Sequence, residues 1–103
     1  MLRKHRYSAF VDTGLDVILR NKGIKTVVLV GVATNVCVES TARDAAMRDF
    51  YVVVAADGVG VRDAARDRHD NALAEIQGCF GMVVPASRIL DVWSGAVRME
   101  TAA

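Results

Sequence analysis

The sequence predicts an α/β domain built on a parallel sheet, and three observations predict it. Short, uninterrupted, β-branched apolar runs alternate with longer amphipathic stretches. The runs lack the in-out alternation of a half-exposed strand, which is how strands buried on both faces of a parallel sheet read. Turn residues follow each run: Gly31, then Asp57 and Gly58, then Pro85. The resulting order is helix, strand, helix, strand, helix, strand, helix. Parallel strands in that order need right-handed crossovers, which the intervening helices supply.

Met1 to Phe10 is basic and aromatic without a period. Val11 to Asn21 reads as the first helix. Asp12 or Thr13 can cap it, and Leu15, Ile18 and Leu19 share one face. Gly23 is placed to end it in the left-handed conformation. Thr26 to Val30 is the first strand. Gly31 and a short turn lead into an alanine-rich helix from about Val36 to Arg48. Tyr51 to Ala55 is the second strand, and Asp57 to Val61 a glycine-containing loop in which Asp57 acts as a cap. Asp63 to Gln77 is the third helix, with Ala65, Leu73 and Ile76 towards the core. Gly81 to Val84 is the third strand, closed by Pro85. Ser87 caps a last helix through about Val97. Three strands make a narrow sheet, so an outer strand needs a cover or a partner.

The 103 residues favour a single domain, and 52% hydrophobic against 24% charged residues is globular rather than disordered composition. A formal net charge of +1 provides no basic face for nucleic acid or an anionic membrane. No apolar run approaches the ~20 residues of a membrane span. The start, MLRKHRYSAF, lacks the apolar stretch of a secretory signal. Cys37 and Cys79 make no disulfide framework, which favours a reduced, cytoplasmic setting.

Cys37 follows the first strand by a few residues, at the outset of the next helix. Ligands of open α/β sheets bind outside the carboxyl ends of the strands. A helix start stabilises a thiolate, and its free N–H groups can face an oxyanion. Spacing alone leaves two readings open, a small buried hydrophobe or a nucleophile.

The stretch GVATNVCVESTARDA (31–45) resembles the cysteine signature of the isochorismatase-like cysteine hydrolases. The upstream KHRYSAFVDTGLDVILRNKGIKTVVLVG, with a lysine ahead of a Tyr-Ser-x-Phe segment, is similar to the ureidoacrylate and related amidohydrolases of that superfamily. AADGVG, HDNALAEI and FGMVV extend the resemblance over nearly the whole chain. It implies a three-layer, Rossmann-like parallel sheet with flanking helices. It implies Cys37 as nucleophile and Lys4 as the catalytic lysine. It implies a cis peptide at Val32–Ala33 and an oxyanion hole formed by the N–H groups of Ala33 and Cys37. Thr34, Asn35 and Tyr7 are the further candidates for substrate contact, with turn and capping roles open for Thr34 and Asn35. No cofactor or metal is implied. The superfamily's third catalytic residue is an aspartate on an earlier strand, and no Asp precedes Lys4. The resemblance therefore implies a single domain over residues 1–103 that corresponds to the C-terminal part of the family domain, truncated at its N-terminus.

Two functional readings follow. One is a hydrolase that cleaves an amide-type C–N bond of a small amide or ureido substrate through a Cys37 thioester. The other is a truncated, catalytically silent module, stable through self-association as a homo-oligomer. A nucleotide-binding module is disfavoured, because no glycine-rich phosphate loop follows any strand. Among other residues, Glu39 and Arg43 are an i,i+4 pair. His5 and His69 lack metal-ligand spacing. Cys79 reads as core, and Trp93 as packing, internal or at a subunit contact.

Overall fold

A parallel, three-stranded sheet in the order β1-β2-β3 organises the chain in a computed structural model that describes residues 2–95. The elements are α1 (Leu15–Asn21), β1 (Thr26–Val32), α2 (Glu39–Met47), β2 (Tyr51–Gly60), α3 (Arg66–Glu75), β3 (Met82–Val84) and α4 (Ala86–Trp93). The order of helices and strands is the expected one. The last helix, predicted through about Val97, ends at Trp93, because Gly95 takes a left-handed φ of 81°; residues 96–103 lie outside the described residues.

The pleat of β2 sorts its side chains onto two faces. Val52 and Val54 join Phe10, Val38, Ala42, Ala45, Phe50, Val59 and Ile76 in the larger cluster, which Leu15 and Leu19 of α1 and Leu73 of α3 complete. Val53 and Ala55 join Ile89 of α4 on the other face. Both faces of β2 are thus covered, so its residues 52–55 form a continuous buried run. Helices lie on both sides of the sheet, giving three layers.

The boundaries differ from expectation where side chains intervene. The first helix begins at Leu15 rather than Val11. Residues 8–13 instead form turns: the Thr13 hydroxyl donates to the Ala9 carbonyl and accepts the Leu15 N–H. The expected loop at Asp57 to Val61 is largely strand. Leu29 pairs with Val54 and Gly31 with Val59, so a two-residue step on β1 spans five residues on β2. The extra residues bulge out and pairing then resumes through Val32 and Gly60. In that bulge Asp57 Oδ1 accepts the Ala86 N–H at 2.7 Å. Asp57 therefore caps α4 from outside, whereas Ser87 makes no cap.

Two further expectations are corrected. Cys79 is exposed, not core. It lies in the Ile76–Phe80 turn that follows α3, whose buried side chain is Ile76. Trp93 is 69% exposed, so it is not part of the internal core, and of the two packing roles expected for it only the subunit contact is left open.

Candidate active site

The site is assembled by an N-terminal segment that folds back onto α2. The Ala9 N–H donates to Thr41 Oγ1 at 3.1 Å, and Ser8 is buried. Phe10 packs on Phe50, with ring centroids 5.9 Å apart. These anchors carry Lys4 back over the end of β1. Lys4 Nζ donates to the carbonyls of Arg6 at 2.7 Å and Tyr7 at 3.3 Å, and stands 4.0 Å from Cys37 Sγ. The two carbonyls aim an otherwise exposed ammonium at the thiol.

Cys37 is half-buried in the Thr34–Val38 turn, a wide π-type turn that runs directly into α2. The Val32–Ala33 peptide ahead of it is cis. The Ala33 carbonyl accepts both the Val36 N–H at 3.1 Å and the Val38 N–H at 3.2 Å, which draws the turn tight around Cys37. Beside the thiol is a cavity of about 220 Å³ lined by Lys4, Tyr7, Leu29, Val30, Val32 and Cys37, among others. Its walls are mainly apolar, and none of the lining residues is a carboxylate. A space of this kind could receive a small molecule beside one thiol and one ammonium group.

The other candidates are distributed more widely. Tyr7 is 64% exposed and lines the cavity. Thr34 is fully enclosed, and its hydroxyl shares a 2.7 Å hydrogen bond with Nδ1 of buried His69. Asn35 lines a different, shallow depression with Glu39, Asp67, Arg68 and Asn71. The Glu39–Arg43 pair forms as expected, at 2.8 Å, while the Arg43 guanidinium also stacks 4.5 Å over the Phe80 ring. Among the described residues, no group of three or more His, Cys, Asp or Glu side chains is placed to hold a metal ion. Two residues important to the site's geometry were not singled out from sequence: Thr41, which anchors the N-terminal segment, and His69 in its role as partner of Thr34.

Residues 1–88 match the isochorismatase domain family. The ureidoacrylate amidohydrolase RutB of Methylobacterium radiotolerans is 45% identical over 83 residues, covering 81% of this chain and 32% of that protein. The secreted isochorismatase effector Isc1 of Verticillium dahliae is 43% identical over 93 residues, covering 86% of this chain and 49% of that protein. Among solved structures, an isochorismatase-like hydrolase from Alkaliphilus metalliredigens superposes with a TM-score of 0.82 at 37% identity, covering 89% of this chain and 49% of the other. The chain thus spans between about a third and about half of the length of these proteins.

Proposed function

The chain belongs to the isochorismatase domain family, and from that premise we propose that it carries the cysteine-lysine part of an amidohydrolase site acting on a small amide or ureido substrate. The observation that supports this most directly is the placement of Lys4 Nζ 4.0 Å from Cys37 Sγ at the rim of an apolar cavity. The Cys37 thiolate attacks the substrate carbonyl carbon, forming a C–S bond. The N–H groups of Ala33 and Cys37 hold the resulting oxyanion. The C–N bond then breaks, the nitrogen leaves as ammonia or an amine after taking up a proton, and a thioester remains on Cys37. Water attacks the thioester, releasing the acid and restoring the thiol. Lys4 sets a positive charge 4.0 Å from the sulfur that attacks. The ureido class is supported by the likeness to a ureidoacrylate amidohydrolase.

The proton transfers in this scheme need a base, and the cavity lining supplies no carboxylate. That observation favours a second reading, in which the 103-residue chain is acylated but turns over negligibly and is held together by self-association. Both cysteines are free, so the Cys37 thiol is available for the attack. Among the described residues no helix is long and apolar enough to cross a membrane.

Incubation with ureidoacrylate, read as ammonia release, tests turnover. Intact-mass detection of an acyl adduct after exposure to an activated ester tests the nucleophile. Ammonia release abolished by Cys37→Ala supports the full hydrolase. An adduct on Cys37 without ammonia release supports the silent reading. Hydrolysis that survives Cys37→Ala refutes the cysteine mechanism.

A further inference from the structure

We infer that His69 is a positioning residue for the nucleophile turn, acting through its buried hydrogen bond to Thr34. This rests on the reading of Cys37 as the nucleophile. Thr34 is 0% exposed and His69 8% exposed, and Thr34 Oγ1 lies 2.7 Å from His69 Nδ1. The two residues are 35 positions apart, so the bond ties α3 to the loop that follows β1. Near the end of β1, Gly31 has φ of 124°, a conformation that only glycine takes readily, and the ladder holds it and Val32 against Val59 and Gly60 before the loop departs. Thr34 is the first residue of the turn and Cys37 the fourth. Ala33, whose N–H the proposed oxyanion hole requires, is the residue immediately before it.

The geometry gives the bond a clear task. Within the turn, the Ala33 carbonyl gathers the Val36 and Val38 N–H groups and sets the local curvature. Val38 in the core cluster holds the far end of the turn. The Thr34–His69 bond holds its first residue against α3, a helix packed on the core through Ala72 and Leu73. The ring also borders a separate hollow of about 320 Å³ that holds Asp57, Asp63 and Arg66. Both Thr34 and His69 are polar groups removed from water, and each satisfies the other. Loss of either partner leaves a buried polar atom unpaired, and the turn must shift to hydrate it. A shift of the turn moves Sγ relative to Lys4 Nζ, which is held by the Arg6 and Tyr7 carbonyls on a segment anchored to Thr41 of α2.

The test uses iodoacetamide labelling of the whole 103-residue chain, with peptide mapping of the Cys37 rate relative to exposed Cys79 as an internal control. Thr34→Val keeps the shape of the side chain and removes the hydroxyl. It is expected to lower the Cys37-to-Cys79 rate ratio by about twofold, a part of the loss that removing the Lys4 charge itself produces. His69→Asn puts an amide atom close to the position of Nδ1 and is expected to hold the ratio near that of the parent, whereas His69→Leu lowers it. An unchanged ratio in a folded Thr34→Val protein overturns the inference. Should that variant not fold, the parent protein supplies the answer by nitrogen-15 spectroscopy of the His69 ring. One locked tautomer is expected, and rapid averaging of both tautomers overturns the bond as a tether. Lys4→Met separates the two levels of argument. If it leaves the Cys37 ratio unchanged, the cysteine-lysine reading fails, whereas a drop with Lys4→Met but none with Thr34→Val defeats only the role of His69.

Discussion

Lys4 is solvent-exposed, yet its ammonium is constrained by two carbonyls of its own segment and directed at Cys37. An exposed lysine tethered in this way loses less rotamer freedom on approaching a thiolate than a free one would. Lys4→Met should therefore lower the labelling rate of Cys37 on the order of threefold while leaving that of Cys79 unchanged. Peptide mapping at neutral pH checks this, and equal effects on both cysteines would count against it. Much of the site was legible at this scale. Cys37 and Lys4 sit in strings whose order is informative by itself, and the structure brings these two side chains together from 33 positions apart. Thr34 and His69 were not legible as a pair. A single hydrogen bond across 35 positions leaves no local pattern, and a buried histidine looks the same in sequence whether it meets a metal, a substrate or a threonine. Cys79 shows the opposite failure. Next to Phe80 it reads as core, but the turn after α3 buries Ile76 and turns Cys79 outwards.

At the level of elements, two helices end in the same way for the same reason. After α1, Ile24 N–H bonds to the Leu19 carbonyl and Gly23 N–H to the Arg20 carbonyl, with Gly23 at φ 70°. After α2, Phe50 N–H bonds to the Ala45 carbonyl and Asp49 N–H to the Ala46 carbonyl, with Asp49 at φ 66°. Both are Schellman motifs, but only the first has glycine at the left-handed position. Asp49→Gly removes the Cβ penalty at an exposed site and should stabilise the protein by about 0.5–1 kcal/mol. Urea denaturation would measure it, and a fall in the midpoint would show that the Asp49 side chain contributes something the backbone does not reveal. Gly81 has the reverse constraint. Its φ of 176° suits any residue, but a Cβ there would lie 2.8 Å from Val52 Cβ and closer still to the Val52 carbonyl oxygen. Gly81→Ala must push β2 and the approach to β3 apart, at about 1–3 kcal/mol. A melting temperature equal to that of the parent would refute the close approach. The Gly23 stop was readable, since the sequence places glycine where a helix pattern ends. The Asp49 stop and the bulge at Asp57 were not. Aspartate also occurs in caps and loops, and the glycines at 58 and 60 read as loop although the ladder resumes beside them.

Across the whole molecule, the alternation of apolar runs and amphipathic stretches was sufficient to read a parallel α/β sheet, because residues 52–55 of β2 are buried against helices on both faces, while the three-layer architecture came from the family resemblance. It could not show how the sheet's two margins are treated, since that depends on single side chains. The β3 margin is short, and Gln77 Oε1 accepts the Val83 N–H there at 2.6 Å. The β1 margin has no such device. β1 is seven residues long, and among the described residues it pairs with β2 alone. Val30 is 65% exposed and Val32 74% exposed, although the N-terminal segment reaches them through Tyr7 and Ala9 at the cavity. That segment therefore does not serve as the cover. On α1, Val17 at 62% and Ile18 at 41% are exposed as well. A flat apolar strand with a free margin pairs readily with another chain, and closed two-fold association is the commonest outcome for identical subunits. The 103-residue chain is thus predicted to self-associate, most simply as a dimer, through the β1 margin. Sedimentation equilibrium at micromolar concentration should give about twice the 11.1 kDa chain mass. Val30→Lys, which places a charge on the exposed margin, should shift the equilibrium towards monomer. A compact monomer of the unmodified chain at that concentration would refute the prediction, because the exposed valines would then be tolerated without a partner.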